Sequence, residues 1–92
     1  MKFYYPVIIS RKQDGTFHGT FPDLEMCDVD AGSLNDLLFA AQEAAYSWID
    51  VEMHEDEPIM PPATDLEDLH PAEGEDVRMI LVNYRLTEGW DE

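Results

Sequence analysis

The beginning of this chain constrains its fold most strongly, because a hairpin pattern runs directly into a capped amphipathic helix. Residues 5–9 form the β-rich apolar run YPVII, and Asp14-Gly15 after it is a dipeptide that favours a tight reversal. Residues 16–21 then alternate aromatic side chains with small or polar ones, as a half-buried strand does. The pattern predicts two antiparallel strands, over residues 3–10 and 16–21.

Two residues inside these strands carry positional information. Pro6 has no backbone N–H to donate, so we expect it on an outer or bulged part of the sheet. Gly19 in a strand interior indicates a bulge or the close approach of another element. Residues 27–31 are more polar, and only the logic of successive hairpins predicts a short third strand there.

A helix of about twenty residues is predicted to begin after Ser33. The Ser33 hydroxyl suits an N-cap, and Asp36 stands where a capping box has its acidic partner. Apolar residues then recur at steps of three and four and form one wide stripe: Leu34, Leu37, Leu38, Ala41, Ala45, Trp48 and Ile49. Acidic residues at 52 and 55–57 lie at the negative end of the helix dipole, which favours fraying of the last turn.

The second half of the chain predicts a long loop followed by one strand. Residues 57–76 are rich in proline and carboxylates, with a single helical turn expected around 65–69. Residues 77–86 are apolar on both faces, which predicts a strand that sits centrally beside the first strand. The resulting class is α+β, in the order β-β-β-α-β, with the long helix packed on one face of a small sheet.

Charge is the extreme feature of the composition. Twenty-one acidic residues stand against five basic ones, a formal net charge of −16, and no Lys or Arg lies between Lys12 and Arg78. Binding to a phosphate backbone needs cationic side chains, so direct nucleic-acid binding is not expected. Such a field would attract a basic partner and accelerate the encounter. The alternative is that acidity only keeps a small protein soluble.

Length and motif content exclude several classes of protein. Ninety-two residues fit one domain, 1–92, and no apolar run is long enough to cross a bilayer. Residues 1–6 do not begin a signal peptide, and the single cysteine, Cys27, cannot form an intrachain disulfide. A cytoplasmic location, with no membrane association, is therefore predicted.

We expect no catalytic residue, no metal site and no cofactor. His18, His54 and His70 are far apart in the sequence, and His54-Glu55 does not have the spacing of a metal-binding motif. Cys27 has no histidine or second cysteine close to it in the sequence, so a small partly buried side chain is the favoured interpretation.

As an ordered set, these motifs resemble the N-terminal domain of HicB-like antitoxins. The set comprises Tyr5-Pro6, the Asp14-Gly15 hairpin, FPDL at residues 21–24, Cys27 and a helix that begins near Ser33. The resemblance extends from about residue 3 to residue 86 and implies a partial ribonuclease H-like fold. A full ribonuclease H-like enzyme needs carboxylates that converge on two metal ions. Here Asp23, Asp28 and Asp30 fall in loop or weak strand positions, so nuclease activity is not expected.

The resemblance implies an interaction protein that binds and masks a small basic toxin of the HicA type. Such toxins are mRNA endonucleases with a fold like that of double-stranded-RNA-binding domains. Charge and exposure select the candidate partner-binding residues: Asp23, Glu25, Asp50, Glu55, Asp56, Glu57, Glu88 and Trp90. Trp90 either folds back onto the sheet or anchors a partner, as aromatic residues do at interfaces.

The chain departs from the family pattern in two places. Glu25-Met26 stands where proline-glycine is typical, which alters the turn after FPDL. Only six residues follow the last predicted strand, whereas family members commonly carry a C-terminal DNA-binding segment, so no DNA-binding domain and no operator binding are expected. The alternative function is an orphan regulatory or binding domain of the same fold, without a toxin partner. We expect homo-oligomers, dimers or tetramers, formed through open sheet edges.

Overall fold

The computed structural model describes residues 2–85, which form a four-stranded antiparallel sheet and one long helix. The elements are β1 (Lys2–Arg11), β2 (Phe17–Thr20), β3 (Asp28–Ala31), α1 (Leu34–Met53), a 3-10 turn (Leu66–Asp68) and β4 (Glu75–Asn83). The strand order in the sheet is β3-β2-β1-β4. The predicted α+β class and the β-β-β-α-β order are confirmed.

The β1–β2 reversal is held by its own polar groups. Gly15 has a φ of 91°, a conformation that glycine adopts without steric cost. The Asp14 carboxylate accepts hydrogen bonds from the backbone N–H and the hydroxyl of Thr16, at 2.9 and 2.6 Å. These bonds lower the pKa of Asp14. The turn therefore fixes the register in which Ser10 lies opposite His18.

Pro6 lies in a part of the sheet where the missing backbone N–H interrupts few hydrogen bonds between strands. β2 pairs with residues 8–11 of β1, so Pro6 lies in the part of β1 that has only β4, through Met79, as its neighbour. The expectation of an outer position in the sheet is confirmed, because within residues 2–85 this part of β1 has a strand on one side only.

β4 joins the sheet beside β1, as predicted, but the prediction that it sits centrally is wrong. Among the described residues β4 pairs with β1 alone and forms one edge of the sheet. Its apolar residues are divided between two faces: Ile80 and Val82 are buried under α1, whereas Met79 and Leu81 are exposed on the other face. The apolar residues on both faces of β4 therefore do not mean that both faces are covered by other elements.

Helix α1 covers one face of the sheet through a stripe of residues four apart. Its N-cap is Ser33, whose hydroxyl accepts from the Asp36 N–H at 3.1 Å. The buried positions are Leu37, Ala41, Ala45 and Ile49. A Cβ at Gly19 would lie 3.1 Å from Val7 Cγ2 and 3.2 Å from Val29 Cγ2. Gly19 thus marks the close approach that the sequence predicted, because even a Cβ there would press against valine side chains of both neighbouring strands.

Candidate partner-binding surface

The segment after β2 folds into two consecutive tight turns. Leu24 N donates to Phe21 O at 3.3 Å, and Cys27 N donates to Leu24 O at 3.2 Å. Phe21, Leu24 and Cys27 are buried, so the turns are anchored by apolar side chains that point into the core. Burial, with the Asp28 carboxylate adding to it, raises the pKa of the Cys27 thiol, so the group stays protonated and unreactive at neutral pH.

The second turn holds a strained residue at its tip. Met26 is the third residue of the turn from Leu24 to Cys27 and has a φ of 60°. A type II turn requires positive φ at this position and favours glycine there. For a residue with a Cβ the left-handed conformation costs about 1–2 kcal/mol. The Met26 side chain is nevertheless 96% exposed, so it gains little packing within its own chain.

Trp48 joins these turns to the helix. Its indole Nε1 donates to the backbone carbonyl of Glu25 at 3.0 Å. Beside it lies an open groove of about 450 Å³, and its walls come from the turn, the end of α1 and the following loop: Pro22, Asp23, Glu25, Trp48, Glu52, Ile59 and Pro61. The turn after β2 therefore meets the end of α1 and the loop that follows it.

Hydrogen bonds with two residues, one in β1 and one in the turn after β2, hold the proline-rich loop that follows α1. Both oxygens of Asp23 accept from Thr64, Oδ2 from the backbone N–H at 2.9 Å and Oδ1 from the hydroxyl at 2.6 Å. The Tyr5 hydroxyl donates to the Pro61 carbonyl at 2.6 Å. Burial, and secondarily the Asp23 carboxylate, raises the pKa of Tyr5 and keeps this donor protonated.

Glu52 completes the attachment by accepting from the Ile59 N–H at 3.0 Å through Oε2. This bond closes the short segment that carries Glu55, Asp56 and Glu57, all of them exposed. We call the surface formed by Glu25, Glu52, Glu55, Asp56 and Glu57 around the groove the helix-end surface. Two of the predicted groups, the turn after β2 and the acidic end of α1, thus lie on one side of the molecule.

The other candidate residues have different surroundings. Asp50 points to the β4 side of α1, where it accepts from the Tyr84 hydroxyl at 2.6 Å. Asp23 lines the groove, but both of its oxygens are occupied by Thr64. Glu88 and Trp90 lie outside the described residues. The candidates with exposed side chains on the helix-end surface are therefore Glu25, Glu55, Asp56 and Glu57.

Sequence reasoning overlooked the apolar side chains on this side of the molecule. Met26, Val51 and Ile59 are 96%, 65% and 74% exposed. Met26 and Val51 line one shallow hollow together with Trp48. The sequence did contain a signal for Met26: it stands in the turn after FPDL at a position where glycine would avoid the backbone strain of a positive φ.

Away from the helix-end surface, a cluster of polar side chains lies on the sheet face opposite α1. Asp30 Oδ1 is 2.8 Å from His18 Nδ1 and 3.0 Å from Lys12 Nζ, and His18 Nε2 is 3.1 Å from Thr20 Oγ1. The hydrogen bond from His18, followed by that from Lys12, lowers the pKa of Asp30. The cluster joins β2 to β3 across one face and fixes the orientation of the imidazole.

Within residues 2–85, no group of three or more His, Cys, Asp or Glu side chains is arranged to hold a metal ion. Over the same residues, no helix has the length and apolar character needed to span a membrane.

Comparison with solved structures gives clear matches of fold. The N-terminal domain of the antitoxin HicB from Burkholderia pseudomallei aligns with a TM-score of 0.75 at 16% identity, over 91% of this chain and 100% of that domain. A chain of a toxin–antitoxin complex from Streptococcus pneumoniae aligns with a TM-score of 0.75 at 17% identity, over 100% of this chain and 79% of that one. A chain of the HicA3–HicB3 toxin–antitoxin complex aligns with a TM-score of 0.61 at 26% identity, over 91% of this chain and 100% of that one.

Comparison with curated protein sequences gives no significant match. A family model described as "HicB_like antitoxin of bacterial toxin-antitoxin system" matches residues 5–88, which is most of the chain. That range includes the Tyr5 and Asp23 side chains that fasten the long loop, as well as α1 and β4. The chain therefore belongs to the HicB-like antitoxin family of bacterial toxin–antitoxin systems.

Proposed function

We propose that this protein binds a small basic toxin of the HicA type and covers the surface with which that toxin grips RNA. The observation that carries the proposal is the charge of the helix-end surface. Its residues and the groove walls come from positions 22–61, and no Lys or Arg lies between Lys12 and Arg78 in the sequence. The surface therefore has carboxylates and no Lys or Arg from its own segments to neutralise them.

The chemistry of the partner follows from what an RNA-cleaving protein must display. A protein that holds a phosphate backbone does so with Lys and Arg side chains. Carboxylates of the helix-end surface would pair with those cations and exclude RNA by occupying the same groups. Exposed carboxylates mainly raise the rate of encounter, whereas buried contacts at the centre of an interface slow dissociation.

In this proposal the protein acts by occupying the toxin and performs no chemistry of its own. It would work in the cytoplasm, where the toxin meets mRNA. Family membership supports this interpretation, as do two structural neighbours that were solved as toxin–antitoxin complexes.

The test is a charge reversal at the helix end. We expect the triple variant Glu55→Lys, Asp56→Lys and Glu57→Lys to lower the association rate with the HicA-type protein encoded beside this gene by about 10–100-fold. Surface plasmon resonance with a catalytically inactive toxin measures the rate. Lysines next to the C-terminus of α1 interact favourably with the helix dipole, so unfolding does not explain a loss.

The matched control is Glu67→Lys, Asp68→Lys and Glu73→Lys, which changes the net charge equally but lies in the loop before β4. We expect this control to slow association by no more than about threefold. Equal losses in both variants would contradict the assignment of the helix-end surface. A genome without such a neighbouring toxin gene, or failure of the wild-type protein to protect RNA from that toxin, would contradict the proposed function itself.

A second candidate function, self-association without a toxin, is favoured by the edge strand β4. This strand is nine residues long, and among the described residues its outer side has no partner strand. Gln42 Nε2 donates to the Leu81 carbonyl at 2.9 Å, so the backbone groups of Leu81 point to that open side. Exposed Met79 and Leu81 lie beside it, and residues 77–83 contain no acidic side chain. Repulsion between two acidic copies is therefore weakest here.

Sedimentation of the wild-type protein at about 100 µM would then give a dimer, because the edges of two copies pair. We expect Met79→Lys to give a monomer, since a lysine on an edge strand opposes pairing. Phe39→Lys, at an exposed position on α1, is the control and should leave the dimer intact. A wild-type monomer at this concentration would contradict self-association through β4.

A further inference from the structure

Met26 combines backbone strain with nearly complete exposure. Its φ of 60° lies in the left-handed region, where a Cβ is unfavourable. Its side chain is 96% exposed, so packing within the chain does not offset that strain. A strained residue whose side chain serves nothing in its own fold is a candidate for a role in binding.

The residues around Met26 indicate the chemistry of the partner surface that it would contact. Met26 borders an open hollow of about 360 Å³, whose apolar lining includes Ala44, Trp48 and the exposed Val51. Exposed carboxylates flank the hollow at Glu25 and Asp28. An apolar centre within an acidic rim is complementary to a partner whose basic surface contains an apolar depression.

We propose that Met26 is the apolar anchor of the toxin interface, held outward by the strained turn so that it inserts into a depression on the basic partner. The inference rests on the proposed function and adds the contact that would slow dissociation. Methionine suits this task because its long unbranched side chain adapts to an irregular pocket. A few such central residues carry most of the binding energy of an interface.

The turn after β2 holds the strained backbone of Met26 rigidly, which would favour binding. Three backbone hydrogen bonds within residues 21–27, together with the buried Leu24 and Cys27, fix the backbone on both sides of Met26. Trp48 adds a third restraint through its bond to the Glu25 carbonyl. The side chain is therefore presented from a rigid support, which lowers the entropy lost on binding.

The experiment compares the wild type with three variants by calorimetric titration with the catalytically inactive toxin and by thermal unfolding. Met26→Gly should raise Tm by about 3–6 °C, because it removes the strain, and weaken binding at least about tenfold. Met26→Ala should weaken binding similarly with Tm nearly unchanged, since it keeps the Cβ and the strain. Met26→Leu should retain affinity within about threefold, because it keeps the apolar bulk.

Phe39→Ala is the matched control, because Phe39 is an exposed apolar residue of α1 that belongs to neither proposed binding surface, and this variant should bind as tightly as the wild type. If the wild type does not bind the toxin, the proposed function fails. If the wild type binds and Met26→Gly and Met26→Ala bind equally well, the anchor is overturned while the function stands. A lower Tm for Met26→Gly would overturn the argument from strain.

Discussion

Replacing Leu37 by alanine is expected to lower the free energy of unfolding by about 3–5 kcal/mol. Leu37 is 0% exposed and packs above Gly19, where its Cδ2 is 3.6 Å from the position a Cβ would take. The strands beneath it are held by hydrogen bonds and cannot collapse into the space, so most of the cavity would remain. A domain of this length has about 5–14 kcal/mol of stability in total.

Urea denaturation followed by circular dichroism measures this change, at one protein concentration so that self-association does not alter the result. The control is Phe39→Ala on the exposed side of α1, where the side chain is 63% exposed and the change should stay within about 0.5 kcal/mol. A loss below about 1 kcal/mol for Leu37→Ala would contradict the packing of α1 against Gly19.

The elements that the sequence predicted best are those whose signals are local. Ser33 and the four-residue spacing of Leu37, Ala41, Ala45 and Ile49 specify α1 without reference to the rest of the chain. The Asp14-Gly15 reversal specifies the β1–β2 hairpin in the same way. The position of β4 was predicted less well, because its pairing depends on a connection across the long loop rather than on its own residues.

The surroundings of the candidate residues could be predicted only in part, for a related reason. The sequence shows which residues carry a carboxylate but not which carboxylates form hydrogen bonds within the fold. Asp23 and Asp50 were therefore selected together with the acidic residues of the helix-end surface. The hydrogen bonds of Asp23 to Thr64 and of Asp50 to Tyr84 join residues 41 and 34 positions apart, and no local pattern reveals such pairs. Met26 was overlooked because exposed apolar residues carry no charge signal, and its φ is known only from the folded turn.

If the proposed function holds, the rate at which this protein binds a HicA-type toxin should depend steeply on salt. Raising sodium chloride from about 50 mM to about 500 mM shortens the Debye length from roughly 14 Å to roughly 4 Å, which screens the exposed carboxylates. With a net charge of −16, we expect the association rate to fall by about 10–100-fold. The dissociation rate should change by less than about threefold, because the central contact proposed for Met26 would be shielded from the ions.

Stopped-flow mixing with the inactive toxin over a salt series separates the two rates. The variant with lysines at positions 55–57 should show a flatter dependence, since those carboxylates supply part of the attraction. Met26→Ala should keep the wild-type slope while dissociating faster, because it removes an apolar contact and no charge. An association rate that does not vary with salt would mean that the acidity of this chain serves solubility alone, and that the toxin is recognised by shape without electrostatic guidance.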